Sequence, residues 1–233
     1  MTAYKFLSFD RVGLFSGVRW PEPGSWIEAE GEIERCVRGI HALYAEGLLD
    51  WIDDELWTCE LAGIVEDDGR MLVAERGRLL ERVAAWNEDS ARDFARACAA
   101  RGREHVVEAL RTEGHEDEAR ELRDRDADGY VTHAPGLAAR LPAEIAGLVL
   151  MAADTTAIAE GLRLEAREPQ LRSHLEAVAS SGATYGAMAA NVAFVVAGST
   201  AGLHPKGHEV GFAAERAWQL ERLVERLGLA DSA

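Results

Sequence analysis

The spacing of apolar and polar positions changes near residue 87. Upstream of it, short apolar runs alternate with turn formers: "YKFLSFD", "VGLFSGVRW" and "SWIEAE", with Pro21 and Pro23-Gly24 between the last two. Runs of this length, rich in aromatic and β-branched residues, predict strands. "LWTCELAGIV" and "MLVAERGRLLERV" flank "EDDGR", which predicts a hairpin-like pair with Asp68-Gly69 in the turn. Ahead of that pair, "ALYAEGLLDW" offers Leu43, Leu48 and Trp51 as the apolar face of one short helix.

Downstream the period is helical. "NEDSARDFARACAARGREHVVEALRTEG" opens with a capping residue, Asn87, carries acids in its first turn, and repeats apolar residues at Phe94, Ala97/Cys98, Val106 and Leu110. "HEDEARELRD" continues the pattern, and further helices are expected from Pro142, Pro169 and Gly207, the two prolines in the favoured first turn. The expected fold is α+β. A small Trp-rich mixed β domain spans residues 1–86, and an all-α bundle of four or five helices spans 87–233.

Residues 182 to 203 hold 22 consecutive uncharged positions. They are mostly Gly, Ala, Ser and Thr with Asn191 near the middle, whereas a membrane span needs ~20 predominantly apolar residues. A central bundle helix is the expectation. Gly182, Gly186 and Ala190 recur every four residues, as do Gly198 and Gly202, a spacing that lets a neighbouring helix come close or two copies associate.

Charge narrows the partners. With 41 acids against 25 bases the formal charge is −16, which disfavours nucleic acid and anionic membranes, since neutralising phosphates takes clustered Lys and Arg. A basic partner or cationic ligand is easier to accommodate. Lys5 and Lys206 are the only lysines, and this Arg- and Ala-rich usage matches a GC-rich bacterial genome. Cys36, Cys59 and Cys98 form no paired spacing, which suits reduced thiols. No basic segment leads into an apolar run at the start, so a cytoplasmic protein without a signal peptide is expected.

Few segments carry recognisable chemistry. In "DRDADGYVTHAP" the residues Asp124, Asp126, Asp128 and Gly129 match the first half of a twelve-residue calcium loop, but Pro135 stands where the closing carboxylate belongs. His204 and His208 are four apart, yet Pro205 and Gly207 between them break a shared helical face. No paired Glu-x-x-His, nucleophile elbow or Gly-rich phosphate loop is present. Neither a metal nor a cofactor is expected. His41 follows the flexible Gly39 at an expected strand-to-helix junction, where it can serve as acid, base or ligand. The competing role is a ring bonded to a backbone carbonyl and packed under a tryptophan, and this is favoured unless a nearby acid such as Asp50, Asp53, Asp54, Glu55 or Glu60 orients it.

"YKFL", "GLFSGVRWP", "GSWIEAEG", "CVRGIHA", "LLDWIDDELWTCELAG" and "MLVAERGRLLERVAAW", across residues 4–86, together resemble a family of uncharacterised domains from phage and actinobacterial proteins. That family carries a Cys-x-x-Gly-(aliphatic or aromatic)-His-Ala-Cys motif. Cys36, Gly39, His41 and Ala42 match it, and Leu43 replaces its second cysteine, which weakens any metal or redox role. The Ala-rich second half looks like the helical extension of actinobacterial members. The order of strand, Gly-rich junction, short helix and strand is also loosely similar to mono-ADP-ribosyltransferase-like folds.

Two functions are therefore expected in order. The first is a binding or accessory module for a protein partner or small ligand, acting as a homo-oligomer. The second is an enzyme whose site lies between the halves, with His41 as acid, base or ligand and Trp20, Trp26, Gly39 and Trp51 lining the pocket.

Overall fold

The computed structural model describes residues 3–35, 37–162 and 184–229. They form two compact units, one comprising Met1–Ala91, Thr184–Ala190 and Leu220–Ala233, the other Arg92–Ala183 and Asn191–Gln219. The fold is α+β, a small strand-rich part followed by helices.

Five strands build the first unit: β1 (Ala3–Leu7), β2 (Ile27–Glu28), β3 (Ile40–Leu43), β4 (Glu55–Asp67) and β5 (Met71–Arg82). All pairings are antiparallel, in the order β2-β5-β3-β1-β4, and β4 pairs back onto β5. The additional pairing closes four strands into a barrel with β2 on its outside. Alternation then sorts the side chains. Ala3, Leu7, Ile40, Ala42, Cys59, Leu72 and Leu79 share one buried cluster with Trp20, Tyr44 and Trp57.

The predicted β4–β5 hairpin forms. Asp67 Oδ1 accepts the Gly69 amide at 2.9 Å and Asp68 Oδ1 accepts those of Arg70 and Met71 at 2.9 and 2.7 Å. These amide bonds, first Met71 and then Arg70, with the Arg35 guanidinium beside them, hold the Asp68 carboxyl at about 2.

Two local expectations do not hold. "VGLFSGVRW" is a loop with isolated bridges from Val12 to Ser8 and Arg19, because Gly13 and Gly17 turn the chain and leave Leu14, Phe15 and Val18 exposed. Leu43 belongs to β3, where it pairs with Met71 and Tyr4, and only Ala45–Trp51 coil, as a 3-10 helix.

Among the described residues the α-helices are α1 (Glu88–Thr112), α2 (Glu116–Arg123), α3 (Ala127–Ala138), α4 (Ala143–Glu160), α5 (Tyr185–Thr200) and α6 (His208–Leu227). Asn87 caps α1 reciprocally with Ser90: Asn87 Oδ1 accepts the Ser90 amide and Ser90 Oγ accepts the Asn87 amide, at 3.1 and 2.9 Å. Phe94, Cys98, Val106 and Leu110 are buried, as their spacing predicts. Val106, Leu110, Leu122, Tyr130, Leu137 and Val149 join the helical core. Burying side chains of this size contributes ~1.5–3 kcal/mol each.

The half-matched calcium loop is a helix. Asp126 is the N-cap of α3, its Oδ1 accepting the Gly129 amide at 2.8 Å, Asp124 pairs with Arg123 at 2.9 Å, and Pro135 lies within α3. The helix expected from Pro169 begins outside the described residues, as does Gly182, and the described part of the uncharged run is α5. The stretch Tyr185–Leu203 is long and apolar enough to cross a membrane by length and composition, with half of its most apolar window buried in the fold.

Small residues on α5 do not form one packing seam. Gly186 lies against main chain, where an added Cβ would sit 2.3 Å from Asp53 C and 2.6 Å from Asp54 N. Gly198, by contrast, and Gly202 in the 3-10 turn that follows α5 have nothing within 4 Å of that position among the described residues.

Candidate functional site

His41 lies inside β3, opposite Val73 of β5, rather than at the end of a strand. Its neighbours Ile40 and Ala42 point into the barrel, so alternation turns its ring to the other face. The ring Nδ1 lies 3.0 Å from the Gly39 carbonyl, a pure acceptor, so Nδ1 carries the proton. Burial lowers the His41 pKa, the Lys5 charge lowers it further, and the Gly39 bond offsets only part of this. The ring is accordingly neutral near pH 7. Gly39 is required there: its φ is +147° and a Cβ would lie 2.6 Å from Val73 Cγ1.

The three tryptophans named from the sequence do not gather around that ring. Trp20 is buried in the barrel cluster, on the opposite side of β3. Trp26 stands between the guanidinium groups of Arg76 and Arg78, 5.0 and 4.9 Å from its ring centre. Trp51 makes an edge contact with Phe15, ring centres 5.3 Å apart.

Asp53, Asp54 and Glu55 are buried, although their density suggested a solvated face. Asp53 takes the Ser8 hydroxyl at 2.6 Å, while its carbonyl accepts the Trp86 indole at 2.7 Å. Asp54 Oδ1 accepts the Gly186 amide at 3.1 Å near the start of α5, and the Tyr185 hydroxyl donates to the Asp54 carbonyl. Asp54 Oδ2 is enclosed with no well-aligned partner among the described residues. Burial raises both carboxyl pKa values, against the Ser8 bond at Asp53 and the Thr184 and Gly186 bonds at Asp54. These acids anchor local structure.

A better-formed constellation lies in the helical unit. A groove of about 380 Å³ is lined by the C-terminal half of α1 and the start of α4, together with Gly202 and Leu203. His105, Glu108, Ala109 and Thr112 recur at helical spacing along the α1 wall, and Glu113 and His115 follow at the turn. The α4 wall supplies Glu144, Ile145 and Leu148. Glu108 pairs with Arg111 at 3.3 Å, whereas Glu113 and Glu144 have no ion-pair partner among the described residues.

One wall histidine is held by a buried acid. Glu215 on α6 is 3% exposed, and its Oε2 lies 2.8 Å from Arg101 Nε and 3.1 Å from His105 Nε2. Burial pushes the Glu215 carboxyl up, but the bonds from His105 and Arg101 outweigh it and hold the group below its usual range. An ionised carboxylate only accepts, so Nε2 of His105 donates to it. Gln219, fully buried, extends the network: its amide nitrogen donates to the Ala193 carbonyl at 2.8 Å and lies 3.4 Å from Glu215 Oε1. The Arg101 guanidinium also stacks on Trp218, 4.4 Å from the ring centre.

Neither Glu215 nor His105 was singled out from the sequence, because 110 residues separate them. The usable signal is the row Glu215, Gln219, Leu223 and Leu227, four apart on α6 and all buried. Two polar groups continuing a leucine row mark a face that carries its own hydrogen-bond partners. Among the described residues no group of three or more His, Cys, Asp or Glu is arranged to hold a metal ion. No family model, curated protein or solved structure matches the chain.

Proposed function

We propose that the chain is a binding or accessory module whose helical unit takes a small organic cation with an apolar body. The groove carries this reading. Its volume suits a small molecule, Ala109, Ile145, Leu148 and Leu203 offer apolar contact, and Glu113 and Glu144 hold uncompensated negative charge at the rim. The excess of acids over bases draws cations toward the whole surface. The reading places the module in a reducing cytoplasm, in keeping with buried free thiols at Cys59 and Cys98.

Titration calorimetry with benzylamine, spermidine and an uncharged benzyl alcohol control tests it. Saturable binding of an amine is expected, weakened at least tenfold by Glu113→Gln with Glu144→Gln and by raised salt. Absence of saturable amine binding, or equal binding of the alcohol, refutes it. The enzyme alternative gains one specific support, the Glu215-held His105 on the same wall, a histidine with an acid that orients it. It requires that His105→Gln leave ligand affinity intact while abolishing turnover of the bound ligand.

A further inference from the structure

The barrel encloses a lysine among apolar groups. On β1, Ala3 and Leu7 point into the buried cluster, and Lys5 between them shares their face. Its ammonium lies 5.7 Å from the centre of the buried Trp20 ring, and its cross-strand neighbour is Trp57, also in the cluster. No carboxylate pairs with it among the described residues. Yet Lys5 keeps partial solvent exposure where both flanking residues are buried, so the enclosure is open at this point.

An ammonium in such a setting has only an aromatic face to replace water, and the neutral amine is the form that an apolar wall tolerates. Burial lowers the Lys5 pKa to about 8, with the Cys59 thiol opposing the shift. The titratable groups that share its field are Cys59 on β4 and His41 on β3, whose own pKa values respond to the Lys5 charge. Cys59 does not compete as a nucleophile, since burial pushes its thiol up to about 12.

We propose that Lys5 is a covalent capture site for small aldehydes with an apolar or aromatic body, which it binds as an imine against Trp20. The amine lone pair adds to the carbonyl carbon, and the carbonyl oxygen takes up the proton that nitrogen gives up. The carbinolamine then expels water, leaving a C=N bond, so one aldehyde and one amine give one imine and one water. No oxidant or metal is needed. The proposal concerns the strand-rich unit and stands independently of the cation groove.

Lys206 is the only other lysine and is exposed, so it serves as the internal reference, and site-resolved detection separates both from the α-amino group. The full chain is incubated at pH 7 with benzaldehyde and cyanoborohydride, which reduces the imine to a stable secondary amine, and adducts are located by fragmentation mass spectrometry. At that pH an amine of pKa about 8 is neutral in about one molecule in ten, against fewer than about one in a thousand for an ordinary lysine. Lys5 is expected to label at least tenfold faster than Lys206, and the advantage to vanish in 8 M urea. Lys206→Arg should leave the Lys5 adduct unchanged, with a rate midpoint near pH 8. Labelling of Lys206 as fast as Lys5 in the folded chain overturns the proposal. So does a preference for Lys5 that survives urea, or a rate midpoint above pH 10 in Lys206→Arg. None of these readouts requires a Lys5 variant to fold.

Discussion

Replacing Gly186 by alanine tests how closely the start of α5 is fitted to the strand-rich unit. The added methyl would sit 2.3 Å from Asp53 C, 2.5 Å from Asp53 O and 2.6 Å from Asp54 N, all main-chain atoms that no rotamer change can move. Ordinary carbon contacts are ~3.5–4 Å, so a displacement of about an ångström is needed. Overpacking of this kind costs ~1–3 kcal/mol. The same movement stretches the 3.1 Å bond from the Gly186 amide to Asp54 Oδ1, leaving a buried carboxylate with less support, at ~1–3 kcal/mol. Against this stands the helix-propensity gain of alanine over glycine, about 1 kcal/mol. The net expectation is a loss of about 2–4 kcal/mol, or a melting temperature lower by roughly 5–15 °C in a chain of this size. Thermal unfolding followed by circular dichroism measures it, with Gly198→Ala as the internal reference. That glycine is on the same helix with nothing within 4 Å among the described residues, so its replacement should stabilise by ~0.5–1 kcal/mol. If Gly186→Ala melts within 2 °C of the parent, or Gly198→Ala is the more damaging, the reasoning fails.

Glu215→Ala strands the Arg101 guanidinium and removes the acceptor of His105, but these two side chains are 30% and 34% exposed and can rehydrate, so the loss should be about 1–3 kcal/mol rather than the ~3–5 of a fully buried pair. Chemical denaturation checks it, and a loss above about 5 kcal/mol would contradict the account. The raised Asp53 and Asp54 carboxyls bind protons in the folded state that the unfolded chain releases above its ordinary value of 3.8. Their contribution to stability therefore rises as pH falls from neutrality toward 3.8. As pH falls from 7 toward 3.8 the urea midpoint of the parent should increase relative to an Asp53→Asn, Asp54→Asn double variant, and parallel curves would count against it. Glu215 acts in the opposite sense, its stabilisation being present above its ordinary value of 4.5 and lost as pH falls through its lowered one. Burial pushes the Cys59 and Cys98 thiols up to about 12, so both should react with a thiol reagent at pH 8 only as fast as the fold opens, and immediate modification of either would refute this.

Periodicity carried the architecture: the α1 cap at Asn87, the hairpin turn at Asp68-Gly69 and the buried positions of α1 were all readable, because each depends on residues within one or two turns. The "VGLFSGVRW" segment failed because its apolar residues met the composition of a strand while its glycines set the backbone. Asp53 and Asp54 misled in the same way: the density of charge suggested solvent, whereas an indole, a serine and a helix start 132 residues away supply their partners. The site around His105 needed tertiary information, since nothing local to "GREHVVEAL" announces Glu215. His41 was visible as a candidate, but not that alternation would turn it away from Trp20.

The ring of strands also bears on how the chain assembles as it is made. β1 is the first strand in the chain, yet it sits between β3 and β4, with Tyr4 opposite Leu43 and Ala3 opposite Cys59. On a ribosome, β1 emerges with both edges unpaired and stays so until residues of β3 and β4 follow it out of the exit tunnel. The β4–β5 hairpin, closed by a tight local turn, needs no such wait and can template the ring for β3 and finally β1. Silent codon changes that slow synthesis between residues 7 and 40 would prolong the interval in which "AYKFL" is open to pairing with another nascent chain.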